Sequence, residues 1–429
     1  MNIVAPVWAF LRTQTFVEWV WRLSLVLLPW QTRVFFEAQP LGIVPWEQGR
    51  LSFYLSMGVM WLLVGLVANK HRPWTNWKKR QIVWGVLAGM ALAFPTLSLI
   101  ATGQWLLQVG TLILWVWALQ YVGTPRKQAA WLLFGLILPA AFGVLQALWQ
   151  QVPASTLLGV AGQDPAQLGV SVIQVGAERV LRAYGSFSHP NIFGGWMALA
   201  TLLAWYLAER DGRWYPAVGL SALALALSYS RSAWGAALIG GLFLGVMAWQ
   251  SATLKPWVKG GMLVATVGVV VFGLAPERVT TRFQNEARLE QQSVQQRSAS
   301  ATEAVDVLRA YPLGTGLGAY RLGLVRRVCV ADTACAVAGE PPHIVPLLAL
   351  VELGLIRAMI LGFCLLALCW QRRRELVGLA VVIVPVAFVS VLDHYFWSFW
   401  AGQALAAVAV LMMGFRVTNK PVDSPSREG

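Results

Sequence analysis

His343 closes the tetrad Glu-Pro-Pro-His, at the end of the one long polar stretch in an otherwise apolar chain and immediately before an apolar run that begins at Ile344. An imidazole titrates near neutral pH, so a His at this boundary is suited to taking a proton from a hydroxyl. Two arginines stand at comparable boundaries. Arg182 lies in Leu-Arg-Ala-Tyr-Gly-Ser-Phe-Ser-His-Pro-Asn, at the mouth of an apolar run, and Arg231 in Ser-Tyr-Ser-Arg-Ser, between two apolar runs. A guanidinium fork binds phosphate oxygens in pairs and keeps its charge. Asp393 and His394 form a further polar pair between the last two apolar runs. Together these residues suit transfer of a group from a lipid-linked diphosphate. The arginines would stabilise the departing phosphate and His343 would act as general base. Each residue also has a plainer reading: His343 as an interfacial side chain, Arg182 as a snorkelling flank, Asp393, His394 and Asn191 as helix caps.

These groups need a frame at a membrane surface, and the composition supplies one. Apolar residues make up 57% of the chain and charged residues 12%, with mean hydropathy +0.60; soluble domains carry about twice that charge. Apolar runs of roughly 18 to 20 residues recur, and ten-residue alternating strands are absent, so the expected fold is all-α and polytopic, not a membrane barrel. About twelve spans are expected, near 13–30, 51–68, 82–100, 103–121, 129–148, 190–208, 214–229, 232–250, 257–274, 345–370, 376–391 and 395–415. The first has no small-residue cleavage site after it and reads as a retained span.

Lys and Arg cluster in alternate loops of that count: Lys70 to Arg80, Arg126 and Lys127, Arg210 and Arg213, Lys255 and Lys259, and Arg372 to Arg374. The positive-inside rule places these loops and both termini in the cytoplasm, with the candidate site facing outward. The net charge of +14 is therefore spread over membrane-flanking loops, which argues against a nucleic-acid surface, and the 23 Trp suit interfacial belts. The expected organisation is one integral membrane domain over 1–420, with a long outer loop at 275–344 and a disordered cytoplasmic tail at 421–429. In that loop Val279, Phe283, Ala287 and Val294, then Ala301, Val305 and Leu308, have the spacing of amphipathic helices. Cys329 and Cys335 lie in the same loop and could pair if it faces an oxidising compartment. Gly314-Thr-Gly-Leu-Gly-Ala319 matches a dinucleotide fingerprint but follows no strand and reads as a turn. No metal-ligand spacing, carboxylate cluster or Walker motif occurs, so neither a metal nor a cofactor is expected. Glu352, about two turns into the tenth span, reads as a buried hydrogen-bonded helix contact or a proton relay.

Several segments occur in a telling order: Arg-Ala-Tyr-Gly-Ser-Phe-Ser-His-Pro-Asn (182–191), Ser-Tyr-Ser-Arg-Ser-Ala (228–233), Tyr-Pro-Leu-Gly-Thr-Gly-Leu-Gly-Ala-Tyr (311–320), Pro-Pro-His before Leu-Ala-Leu-Val-Glu-Leu-Gly-Leu-Ile (348–356), and Asp-His-Tyr-Phe-Trp (393–397). This order resembles the O-antigen ligase and polymerase superfamily of bacterial membrane glycosyltransferases, over most of the chain. The resemblance implies a C-type glycosyltransferase fold and a polyprenyl-diphosphate glycan donor, with a lipid or glycan acceptor and inverting, metal-independent transfer outside the cytoplasmic membrane. It maps the family's arginines onto Arg182 and Arg231 and its loop histidine onto His343, with Tyr184, His189, Asn191, Arg321, Asp393 and His394 as substrate-binding candidates. Two positions depart from the family pattern: Ile344 stands where Asn often follows the His, and Arg357 stands where Gly often follows the Ile. A ligase is the leading expectation. A polymerase, a protein oligosaccharyltransferase and, less favoured, a flippase or transporter are the alternatives.

Overall fold

The computed structural model describes residues 13–38, 49–71, 96–250, 254–284, 288–328, 340–371 and 376–417. Most of the span expected at 82–100, the Cys329–Cys335 pair, Arg72 to Arg80, Ala287, Arg372 to Arg374 and the 421–429 tail lie outside these residues. The described chain is mostly helical. Its elements are α1 (Gln14–Val26), β1 (Arg33–Ala38), β2 (Arg50–Tyr54), α2 (Leu55–His71), α3 (Leu99–Leu119), α4 (Pro125–Trp149), β3 (Val172–Val175), β4 (Glu178–Leu181), α5 (Pro190–Ala208), α6 (Tyr215–Leu227), α7 (Arg231–Gln250), α8 (Leu254–Leu274), α9 (Pro276–Thr280), α10 (Arg288–Ala310), α11 (Tyr320–Val328), α12 (Val345–Gln371), α13 (Leu376–Leu392), α14 (Tyr395–Ser398) and α15 (Trp400–Val417).

Six of these helices are long and apolar enough to cross a membrane: α3, α4, α5, α7, α8 and the 345–363 part of α12. That is fewer than the twelve expected. Helices do occur at the other described places, but α1 and α6 have 13 residues each. At 1.5 Å per residue they extend about 20 Å, short of the ~30 Å hydrocarbon core. The last expected span is divided by Phe399, whose extended backbone separates α14 from α15.

The all-α expectation also needs correction, because two antiparallel hairpins are present, β1–β2 and β3–β4. In the second, Val175 pairs with Glu178, and Gly176 takes the positive φ (58°) that the two-residue turn requires.

α5 is the central helix, with 83% of its apolar window buried inside the protein. It starts at Pro190, whose fixed φ and missing N–H suit the first helical turn, and His189 caps it by accepting the Asn191 N–H. Around it pack α4, α6, α7 and α15, with Phe193, Trp196, Leu203 and Val408 in the shared core.

The described part of 275–344 forms α9, α10 and α11 with a loop at 311–319, and α10 packs a second stripe inside the protein. Phe283, Val294 and Val305 are exposed, whereas Glu290, Ser300, Ala304 and Val307 are buried. Ala304 and Val307 join Tyr320, Leu324, Leu348 and Val351 in a small core against α11 and α12. The two stripes are neighbours on one helix, and the partner surface selects between them.

Candidate functional site

A hydrogen-bonded line joins three of the candidate residues, Arg182, Asn191 and Asp393, and ends facing a fourth, His343. Arg182 follows β4 directly and is 5% exposed. Its Nε donates to the Ser228 carbonyl at 2.8 Å and its Nη2 to Asn191 Oδ1 at 2.6 Å. Asn191, in the first turn of α5, turns its Nδ2 to Asp393 Oδ2 at 2.7 Å. These two partners fix the amide orientation, since a guanidinium only donates and a carboxylate accepts. The other Asp393 oxygen faces His343 Nδ1 at 3.9 Å. That is beyond hydrogen-bond length, and in unliganded sites such contacts are often long.

His343 sits between two carboxylates. Its Nε2 is 3.7 Å from Glu340 Oε2, its Nδ1 is buried without a hydrogen-bond partner among the described residues, and its ring meets His394 edge-on at 5.2 Å. Burial pushes the His394 pKa down to about 4, against the opposing pull of Asp393. Burial acts to raise the Asp393 carboxyl, but His394, His343 and His189 together outweigh it and hold it below the usual range. The His343 ring likewise holds Glu340 low.

Donor atoms of His343, Asp393 and His394 lie within 4.8 Å of one another. A divalent cation can accept two imidazoles and a carboxylate, so chelation belongs in the functional test, although the sequence carries no metal motif. His394 Nδ1 is 3.0 Å from Ser398 Oγ. With its pKa near 4, His394 is neutral on both limbs of a near-neutral pH profile. His394→Asn, facing Asp393, His343, Glu340 and Ser398, should therefore leave the acid limb of the pH–rate profile in place between about pH 5 and 9. A limb displaced by about one unit would show that His394 titrates in that range.

A second cluster surrounds the turn between α6 and α7. Arg231 opens α7, donates to the Arg282 carbonyl at 2.6 Å and pairs with Glu290 at 3.3 Å. Arg282, just after α9, also pairs with Glu290, and its Nε donates to the Tyr229 carbonyl at 3.1 Å. Arg182 docks on Ser228 of the same turn. Three guanidinium groups thus gather on the 228–231 turn with one contacting carboxylate among the described residues. Burial first, and Arg282 second, push the Arg182 pKa well down. A bound anion would compensate this buried charge. Arg282, Glu290 and Glu340 were not among the sequence candidates. Arg282 and Glu290 lie on the long loop, where only the fold shows which charged side chains turn inward.

The remaining candidates sit around these clusters. His189 Nδ1 accepts the Asn191 N–H, which leaves the proton on Nε2, 3.0 Å from Ser171 Oγ. Burial lowers its pKa to about 4. Tyr184 packs with Val152, Val160 and Leu181, and its hydroxyl accepts the Ser171 N–H at 2.8 Å. Both anchor the 149–189 loop beneath Arg182. Arg321 stands apart from the arginine turn and borders a hollow of about 20 Å³ shared with Tyr320, Pro341, Glu352, Trp397 and Ser398.

Residues 216–361 match the family model Wzy_C, described as O-antigen ligase. About a third of the chain is thus similar to that family. No curated protein and no solved structure gives a match. The matched stretch runs from the start of α6 into α12 and holds Arg231, Arg282, Glu290 and His343, while Arg182, Asn191, Asp393 and His394 come to it from outside. It agrees with the resemblance read from the motif order.

Proposed function

We propose that the chain is a membrane glycosyltransferase that moves a saccharide from a polyprenyl-diphosphate donor to an acceptor hydroxyl on the outer face of a bacterial cytoplasmic membrane. The observation that carries this is the line from Arg182 through Asn191 and Asp393 to His343, which couples a phosphate-binding group to a base. The acceptor O–H gives its proton to His343 as its oxygen bonds to the anomeric carbon. The bond from that carbon to the diphosphate breaks, and the electron pair leaves with the diphosphate. Arg182, Arg231 and Arg282 hold the growing negative charge, and attack from the opposite side inverts the sugar. The donor diphosphate would compete with Glu290 for Arg231 and Arg282. Lipopolysaccharide-type acceptors fit the family's name, and undecaprenyl diphosphate fits as the carrier.

Purified protein in proteoliposomes, given donor and a lipid acceptor with EDTA present, is expected to release polyprenyl diphosphate and glycosylate the acceptor. Absence of released diphosphate would count against group transfer and favour a flippase. Activity abolished by EDTA and restored by a divalent cation would transfer the His343–Asp393–His394 cluster to a metal role. Chain growth from donor alone would make the enzyme a polymerase.

A further inference from the structure

α12 is one helix in outline but is broken at Gly354, which has φ 76° and ψ 167°. A side chain there would strike the Leu313 carbonyl carbon at 2.3 Å. The break frees backbone groups inside an apolar helix, where each unsatisfied group is costly. The loop 312–318 takes them up. The Val351 carbonyl accepts the Thr315 N–H at 3.1 Å, the Glu352 carbonyl accepts the Gly316 N–H at 3.0 Å, and the Leu355 N–H donates to the Pro312 carbonyl at 3.1 Å.

The Glu352 side chain, 3% exposed, lies at the centre of this junction. Its Oε2 accepts the Gly318 N–H at 2.7 Å and the Trp397 indole N–H at 2.6 Å, and its Oε1 accepts the Tyr320 N–H at 3.3 Å. Trp397 is held in turn: its N–H donates to the His394 carbonyl at 3.0 Å, and its carbonyl accepts from Trp105 at 3.1 Å and Gln403 at 2.8 Å. Three donors converge on one acceptor-only group, which an ionised carboxylate satisfies and an amide does not.

We infer that Glu352 is a positioning residue that locks the helix carrying His343 to the turn carrying Asp393 and His394. It rests on the proposed role of His343 as base. His343 lies just before α12 and Asp393–His394 just before α14, so the Glu352–Trp397 bond ties together two segments that otherwise meet at the site through the open 3.9 Å gap between His343 and Asp393 and the edge-on contact of the His343 and His394 rings. A displacement of about 1 Å across such a gap costs roughly a hundredfold in rate.

The test is steady-state kinetics in proteoliposomes. Glu352→Ala is expected to lower kcat by about a hundredfold while leaving the donor KM within about twofold, because the arginine cluster is untouched. Trp397→Phe keeps the ring and removes one hydrogen bond; it should lower kcat by about tenfold with the same unchanged KM. The double variant should be no slower than Glu352→Ala, since both act through one bond. If Glu352→Ala does not fold, Trp397→Phe and Glu352→Gln carry the test by the same kcat-against-KM comparison. Wild-type kcat in folded Glu352→Ala or in Trp397→Phe overturns the inference, as does a rise in donor KM matching the fall in kcat. A silent His343→Ala beside a normal Trp397→Phe removes only the positioning role; an active His343→Ala removes the base on which it depends.

Discussion

His343→Ala is expected to abolish measurable glycan transfer, a fall of roughly a hundredfold to ten-thousandfold, while the protein stays folded. The two halves of that expectation have separate grounds. Catalytically, His343 is the imidazole in the site with a carboxylate near each ring nitrogen, Asp393 at 3.9 Å from Nδ1 and Glu340 at 3.7 Å from Nε2. Structurally, its side chain is 20% exposed, its Nδ1 bonds to nothing among the described residues, and the buried Asp393 keeps its hydrogen bond from Asn191 when the ring is removed. Release of polyprenyl diphosphate by reconstituted variant and wild type, with intact folding checked by elution profile, measures it. A variant as fast as wild type would return His343 to an interfacial side chain. His394 is a poor substitute as base, because burial lowers its pKa to about 4, and its Nδ1 lies 3.0 Å from Ser398 Oγ.

The sequence exposed the site more fully than the frame. His343, Arg182, Arg231 and Asp393 each border an apolar run with a group that is expensive near a membrane, and such groups stand out without any knowledge of contacts. Asn191 was legible through Pro190, which marks a helix start. Arg282 and Glu290 were not, because their long loop is rich in charged residues and nothing local separates a solvated arginine from one that turns inward to Tyr229. The inward packing of α10 was not legible for a related reason: Ala304 and Val307, with Leu308 beside them, pack against α11 and α12, while Val305 faces outward. The second hairpin did carry a signal, two β-rich runs around Gly176, masked by the apolar composition around it. The break at Gly354 had none, since Glu-Leu-Gly-Leu-Ile reads as continuous helix until the loop at 312–318 supplies its hydrogen bonds.

Arg182→Ala is expected to lower turnover by about a hundredfold or more, as loss of a transition-state donor does. Among the three arginines it is the one whose hydrogen-bond partners among the described residues are neutral: Ser228 and Asn191, against the Glu290 carboxylate that Arg231 and Arg282 share. Two of its five N–H groups are used in those bonds, so the remaining edge of the fork is available to diphosphate oxygens. Arg182→Lys keeps the charge but offers one nitrogen where two are needed to reach Ser228 and Asn191 together, and it should recover only part of the rate. The two variants separate clamp from scaffold. A scaffold role would be met by any side chain that keeps the turn folded, with donor KM unchanged. A clamp predicts a raised donor KM and a lowered kcat in Lys as well as in Ala, because the fork is lost in both. Wild-type turnover in folded Arg182→Ala would remove the phosphate-holding role and leave Arg231 and Arg282 to bear it, with Glu290 as the carboxylate that the donor must then displace.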